Sequence, residues 1–322
     1  MALTAGSRLG FGAGELSNLG IVVTEIATNA VRHATGGQLI LRTLASGERS
    51  GVEVLCIDRG PGMANVAECL HDGFSTGGTM GTGLGAVRRL AEDFDVFSAV
   101  ESGTVVLARL WSAGEKVSDG GPRIATICLP VDGETDCGDG WAFSTMESRT
   151  VLLSVDGLGH GVLAADAARA AIRIFSANAT RPAGEILGLL HQGLPGTRGA
   201  AAAVTEIDQG RRVVRFAGIG NIAGWIVTDK ATRAMVSHNG IVGHQARRIQ
   251  EFEYPLPPDA TVVTHTDGLA NRWRTDRYPG LLRRDPAILA GVLYRDFVRA
   301  RDDTSILVCR PGVPVMPTAL QQ

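Results

Sequence analysis

A chain of 322 residues, 44% hydrophobic and 20% charged, is long enough for about two domains, each with a core of its own. Its formal net charge of −2 excludes the basic excess of a general nucleic-acid binder, and no apolar run approaches the ~18 residues that a membrane span needs. The five cysteines (Cys56, Cys69, Cys128, Cys137 and Cys309) are odd in number and form no CxxC pair, so they read as reduced thiols rather than a disulfide framework. The first twenty residues lack a basic stretch followed by an apolar core, the mark of a signal peptide. Together these features predict a cytoplasmic protein with no membrane or nucleic-acid partner.

In chain order, the pattern predicts a helix over 16–34, strands over 38–44 and 52–58, a helix over 83–93 and a strand over 105–111. The polar stretch SAGEKVSDGGP comes next, which places a linker at 113–122 between a domain at 1–112 and one at 123–312, with a tail at 313–322. The second part alternates strands (123–129, 150–156, 200–207, 213–218, 222–228, 261–267, 305–310) with helices at 163–176 and 184–192. The expected class is α+β: an α/β sandwich with helices on one face of a mixed sheet, then a β-sandwich flanked by helices.

Within the first helix, Leu19, Val22, Val23, Ile26, Ala27, Ala30 and Val31 keep helical spacing and should face the sheet. Glu25, Asn29 and His33 stack at steps of four on another face. Alone, such a stripe is the ordinary solvated side of a helix. Two glycine-rich motifs further along the chain give it another meaning. The strand at 52–58 ends in DRGPGM, where Gly60 and Gly62 let the backbone turn beside a ligand, and where the Asp58 carboxylate at a strand end is suited to accept from an exocyclic amine such as that of adenine. The run GTGLGAVRRL then opens a helix with glycines, exposing backbone N–H groups to an anion.

In this order the three elements resemble the GHKL ATPase superfamily, over nearly all of residues 8–111. The N box is Glu25–Asn29–His33, the G1 box Asp58–Gly60–Gly62 and the G2 box Gly81–Gly83–Gly85. RLGFG, DRGPGM, DGFST and GLGAVRRL are most similar to the RsbT-type switch serine kinases. The resemblance implies ATP as ligand, with Asn29 on the Mg²⁺ that bridges the phosphates, Glu25 as the base for a substrate serine, and Asp58 reading adenine. Only about ten residues precede the GF segment, fewer than these kinases usually have.

The second part carries DCGDGWAF, VLLSVDGLGHG, FAGIGNIAGW, VVTHTDGLANRW and RDDTSILV. A single Asp-Gly pair is usually a turn. Carboxylates converging from several strands repel one another and call for a cation, and oxygen donors without clustered Cys or His favour Mg²⁺ or Mn²⁺ over zinc. The set resembles the PPM family of metal-dependent protein phosphatases, of the SpoIIE type, and is similar to its short RsbX-type members. That resemblance implies two Mn²⁺ or Mg²⁺ bridged by Asp156 and the Gly157 carbonyl. Asp267 and Asp302 would complete the shells, with Asp303 as the alternative to Asp302, and Asp139 would be a further ligand or a residue behind the ligands. It also implies two-metal hydrolysis, in which a metal-bound water attacks phosphoserine phosphorus in line. His160 and the tryptophans at 111, 141, 225 and 273 read as structural.

The expected function is a protein serine/threonine phosphatase with a serine kinase-like ATP domain on the same chain. Its partner would be a phosphorylated regulatory protein, a STAS-domain antagonist or scaffold of bacterial stress signalling. The alternatives are a non-catalytic ATP-sensing, partner-binding first domain, or an anti-sigma-factor-type kinase.

Overall fold

The structure, a computed structural model, describes residues 1–34, 36–70, 83–116, 120–246 and 248–312. In chain order the first elements are helices α1 (Ala2–Arg8) and α2 (Ala13–His33), strands β1 (Gln38–Ser46) and β2 (Arg49–Ile57), helices α3 (Val66–Cys69) and α4 (Gly83–Leu90), and strands β3 (Asp93–Ala99) and β4 (Gly103–Trp111). Then come β5 (Arg123–Leu129), β6 (Asp139–Met146), β7 (Arg149–Gly157), α5 (Val162–Asn178), α6 (Ala183–Gly193), β8 (Ala200–Asp208), β9 (Val213–Ile219) and β10 (Ala223–Val227). The last are β11 (Thr232–Met235), β12 (Glu251–Pro255), β13 (Thr261–His265), α7 (Pro286–Phe297) and β14 (Thr304–Arg310). The chain divides into two units, Met1–Ser118 with Arg283–Arg295, and Asp119–Leu282 with Asp296–Gln322.

In the first unit the sheet order is β1-β2-β4-β3. Every described pairing is antiparallel, where a mixed sheet was expected. The reason is the position of β4. The α3–α4 crossover returns the chain into β3 in the same direction as β2, but β4 lies between the two and pairs with both. The expected helix over 83–93 ends at Leu90, because DFDVFSA alternates and forms β3 along β4. Leu19, Val22 and Ile26 of α2 are buried with Val52, Val54 and Cys56 of β2, Val106 and Ala108 of β4, and Val87 of α4. On the strands, the alternate residues Leu55, Ile57, Val105 and Leu107 are buried too.

The sequence pattern keeps all of 123–312 in the second domain, yet Arg283–Arg295 groups with the first unit. Residues 286–293 are buried along one of the most apolar helices of the chain. A side chain at Gly291 would press on Val105 and Ile57, so this helix covers apolar positions on β2 and β4. Beside them Arg109 donates from both terminal nitrogens to Asp285, at 2.9 Å each, and from Nε to Glu53 at 2.8 Å. The other Glu53 oxygen accepts from Arg42 at 2.5 Å.

The second unit is a sandwich of two five-stranded antiparallel sheets, β11-β10-β13-β14-β5 and β12-β9-β8-β7-β6. Leu152, Ala203, Ile207, Val214 and Phe216 pack with Ile226, Val262 and Leu307 to form one core. The alternate residues Val151, Leu153, Val155, Ala202 and Val204 form a second core with Ala168, Ala171 and Phe175 of α5 and Ile186, Leu187 and Leu190 of α6. β7 and β8 thus bury both faces, which explains their unbroken apolar runs. Among the described residues no helix is long and apolar enough to cross a membrane.

Candidate functional site

In the first unit, α2 holds Glu25 and Asn29 half-buried and His33 exposed at its last turn. The first residue of α4, Gly83, lies against the first two. A Cβ there would stand 3.2 Å from Asn29 Nδ2 and 3.3 Å from Glu25 Oε2. A carboxylate and an amide therefore meet the N-terminus of a helix, where backbone N–H groups are available to an anion. Asp58 sits just past β2. Its Oδ1 accepts from Gly60 N at 2.7 Å and Thr104 N at 3.2 Å, while no described group donates to its Oδ2.

Gly60 is buried against the His33 carbonyl and Ala34. Gly62 has φ of 71°, and a Cβ there would strike the Ala99 carbonyl, so only glycine serves. Ser98 accepts from Met63 N at 2.8 Å and pins the end of this loop. The structure thus gathers Glu25, Asn29 and Gly83 at one spot and places Asp58, Gly60 and Gly62 by the C-terminal end of the same helix. Gly85 is buried within α4. Gly81, with the DGFST motif, lies outside the described residues.

In the second unit, Asp139 starts β6 and Asp156 is the penultimate residue of β7, the two paired in register. Asp267 comes just after β13, and Asp302 and Asp303 precede β14, the neighbour of β13. Burial, with the charges of Asp267, Asp302 and Asp303, pushes the Asp156 carboxyl up to about 7. Burial and the Asp156 charge hold Asp139 well above the ordinary carboxylate range, opposed by a 2.6 Å hydrogen bond from Thr266 Oγ1. Asp302 is raised by its partial burial and by Asp267. Carboxylates therefore gather here and disfavour one another's charge. Among the described residues, no three His, Cys, Asp or Glu side chains already stand at metal-ligand spacing.

The two adjacent aspartates divide their roles. Asp303 is buried, and both its oxygens are used: Oδ1 accepts from Val131 N at 2.7 Å and Oδ2 from Gly138 N at 2.6 Å. Asp302 is exposed and lines an open cleft with Asp267. Asp267 Oδ2 accepts from Asn221 Nδ2 at 2.7 Å, which gives the GIGNI motif a contact at the site. Gly157 has no room for a side chain, because a Cβ would collide with the Ala164 carbonyl in the first turn of α5. His160 is exposed and lies 2.7 Å from Glu134.

Sequence reasoning missed Thr266, the clamp on Asp303, and the place of His265. His265 is fully buried, and its Nε2 accepts from both Trp225 Nε1 and Trp273 Nε1 at 3.2 Å. The ring proton is then on Nδ1, which donates to the Thr266 carbonyl at 2.9 Å. Burial lowers its pKa to about 4, so it stays neutral. The only signal was the run HTD itself, with polar residues in an apolar strand. Cys128 and Cys137 lie with their Sγ atoms 3.6 Å apart at the base of the same loop, both as free thiols.

Comparison with known proteins finds two families along the chain. Residues 1–110 match the Histidine kinase-like ATPase domain family and residues 146–311 match the Stage II sporulation protein E (SpoIIE) family. The serine/threonine-protein kinase RsbT of Bacillus subtilis (strain 168) is 33% identical over 104 residues, which are 32% of this chain and 78% of RsbT. A chain solved in work on the bacterial stressosome, as a modular system adapted to control secondary messenger signalling, is 26% identical with a TM-score of 0.55. That match covers 59% of this chain and 99% of the other. RsbX in complex with magnesium shares the fold, with 18% identity, a TM-score of 0.53, and coverage of 61% of this chain and 98% of RsbX. The chain belongs to the SpoIIE family, its SpoIIE domain joined to an RsbT-like, kinase-family ATPase domain.

Proposed function

We propose that the second unit is a metal-dependent protein serine/threonine phosphatase, which removes phosphate from a regulatory protein. The observation that carries this reading is the cluster of Asp139, Asp156, Asp267 and Asp302, with Asp156 displaced to about 7 by burial and by its acidic neighbours. All the donors are hard oxygens, and their unbalanced charge fits Mn²⁺ or Mg²⁺. Asp156, with the Gly157 carbonyl, Asp267 and Asp302 would hold two such ions. Once bound, the ions would neutralise phosphate charge and supply a hydroxide nucleophile near neutral pH. Asp302 suits the ligand role better than Asp303, whose oxygens are both engaged by backbone N–H groups. Thr266 orients Asp139, and Asn221 orients Asp267.

For the first unit the reading is an ATP-binding serine kinase domain. Asn29 would hold the Mg²⁺ of Mg·ATP, Asp58 would use its open oxygen on adenine, and Glu25 would take the proton of the target serine. The likeness to RsbT and to a stressosome protein supports a partner of the STAS-domain type, whose phosphorylation both units would set. The test is to incubate the purified chain with candidate STAS-domain proteins, either with ATP or after their phosphorylation, and to follow intact mass. A loss of one phosphate with Mn²⁺, abolished by chelator, is expected. Equal turnover in chelator would overturn the metal-dependent reading. ATP binding without any phosphate gain would leave the first unit as a nucleotide-sensing module.

A further inference from the structure

An open cleft of about 430 Å³ in the second unit is lined by Asp267, Arg299, Ala300, Arg301 and Asp302. Two of these are candidate metal-shell acids, and two are arginines that the metal chemistry does not use. Neither the Arg299 nor the Arg301 guanidinium has a hydrogen-bond or carboxylate partner among the described residues. By contrast, Arg149 and Arg215 in the same unit both reach Glu206, at 2.9 and 2.6 Å. The backbone beneath the two open arginines is fixed in place. Arg299 N donates to the Gly268 carbonyl at 2.7 Å, Ala270 N to the Phe297 carbonyl at 2.9 Å, and Leu269 bridges Val298. The arginines thus stand on a segment pinned to the turn that carries Asp267, with Asp302 directly after them.

We propose that Arg299 and Arg301 are the specificity-determining residues that grip the phosphate of the substrate, and that they favour a phosphate monoester dianion. This rests on the phosphatase reading of the same site. A dianion that enters this cleft meets repulsion from Asp267 and Asp302. The ions answer part of it, and cationic side chains at the mouth answer the rest. Guanidinium forks match the terminal oxygens of a phosphate and hold it in a defined orientation. A monoester offers three such oxygens and two charges, whereas a diester offers two oxygens and one charge, so the pair of arginines favours the monoester.

The test uses the full chain and the variants Arg299→Gln, Arg301→Gln, the double Gln variant and the corresponding Lys variants. Three measurements are needed: hydrolysis of p-nitrophenyl phosphate and of a phosphoserine protein with Mn²⁺, inhibition by inorganic phosphate, and calorimetric titration of Mn²⁺ and of inorganic phosphate. Each Gln change should raise KM for both substrates and Ki for phosphate by about tenfold to a hundredfold. kcat should change less, Mn²⁺ affinity should not fall, and Lys should recover part of the loss. An unchanged KM and Ki in the double variant would overturn the proposal. So would a loss confined to the phosphoprotein, which would mark a docking contact, or a parallel fall in Mn²⁺ affinity, which would mark a structural role. If the unaltered chain hydrolyses neither substrate yet binds phosphate through these arginines, the phosphatase reading fails while the grip stands.

Discussion

Each unit buries a cluster of charge, and the two clusters are built in opposite ways. In the first, Arg109 lies between Asp285 and Glu53, and Glu53 also meets Arg42. Burial works against the Arg109 charge, but the two carboxylates outweigh it and hold the guanidinium more firmly protonated. In the second, buried Asp139 and half-buried Asp156 lie beside further acids, and among the described residues only the Thr266 hydroxyl donates to either carboxylate. A balanced cluster is structure, complete within the chain. An unbalanced one stores repulsion that a bound cation relieves. The same burial of charge thus marks a packing device in one unit and the proposed metal centre in the other.

That contrast can be broken experimentally, most sharply at Asp156. Asp156→Asn should lower phosphatase turnover by at least about a hundredfold. It should also raise the melting temperature of the chelator-treated protein by a few degrees, because it removes an uncompensated charge. Near-normal turnover, or a fall in metal-free stability, would place Asp156 among structural acids. Asp285→Asn should do the reverse. It leaves Arg109 with half its compensation and should cost about 3 kcal/mol in urea unfolding, with turnover per folded molecule unchanged. A cost near zero would mean the Arg109 cluster does not hold the first unit together.

The nucleotide site offers a smaller effect. Asn29→Asp should weaken Mg·ATP binding by about tenfold in calorimetry. Glu25→Ala should spare binding but remove any phosphate transfer seen by mass. No ATP binding at millimolar nucleotide in the unaltered chain would sink both expectations.

The smallest effect is the pH dependence of the metal-free protein. Asp156 titrates near 7 when folded, against 3.8 when exposed. Between those values the folded chain holds more protons than the unfolded one. Stability should therefore fall as pH rises from about 4 to about 7, then level off. Saturating Mn²⁺ should flatten that slope in thermal unfolding, and an identical slope with metal would argue against cation binding at this cluster.

Much of the fold and of both sites was legible in the sequence, for local reasons. Helical spacing of Leu19, Val22 and Ile26 set the buried face of α2, and steps of four aligned Glu25, Asn29 and His33. Seven strands of the sandwich, β5, β7, β8, β9, β10, β13 and β14, were readable from their apolar runs. The short strand β11 and the polar edge strand β12 were not, since only pairing with β10 and β9 makes them strands. β6 was hidden because its DGWAFSTM sequence is half polar and comes after a glycine-rich loop.

The sequence by itself determined the two families, the order of their motifs and the acids that could carry chemistry, because these depend on residue type and spacing along one chain. Only the tertiary structure decided that Asp303 is a loop clamp, that His265 is locked neutral between two indoles, and that Arg283–Arg295 groups with the first unit. Each of these depends on which distant group fills a hydrogen-bonding position or covers an apolar face. Asp303 and Gly138 lie 165 residues apart, and no local pattern records such a partner until the sheets bring the two together.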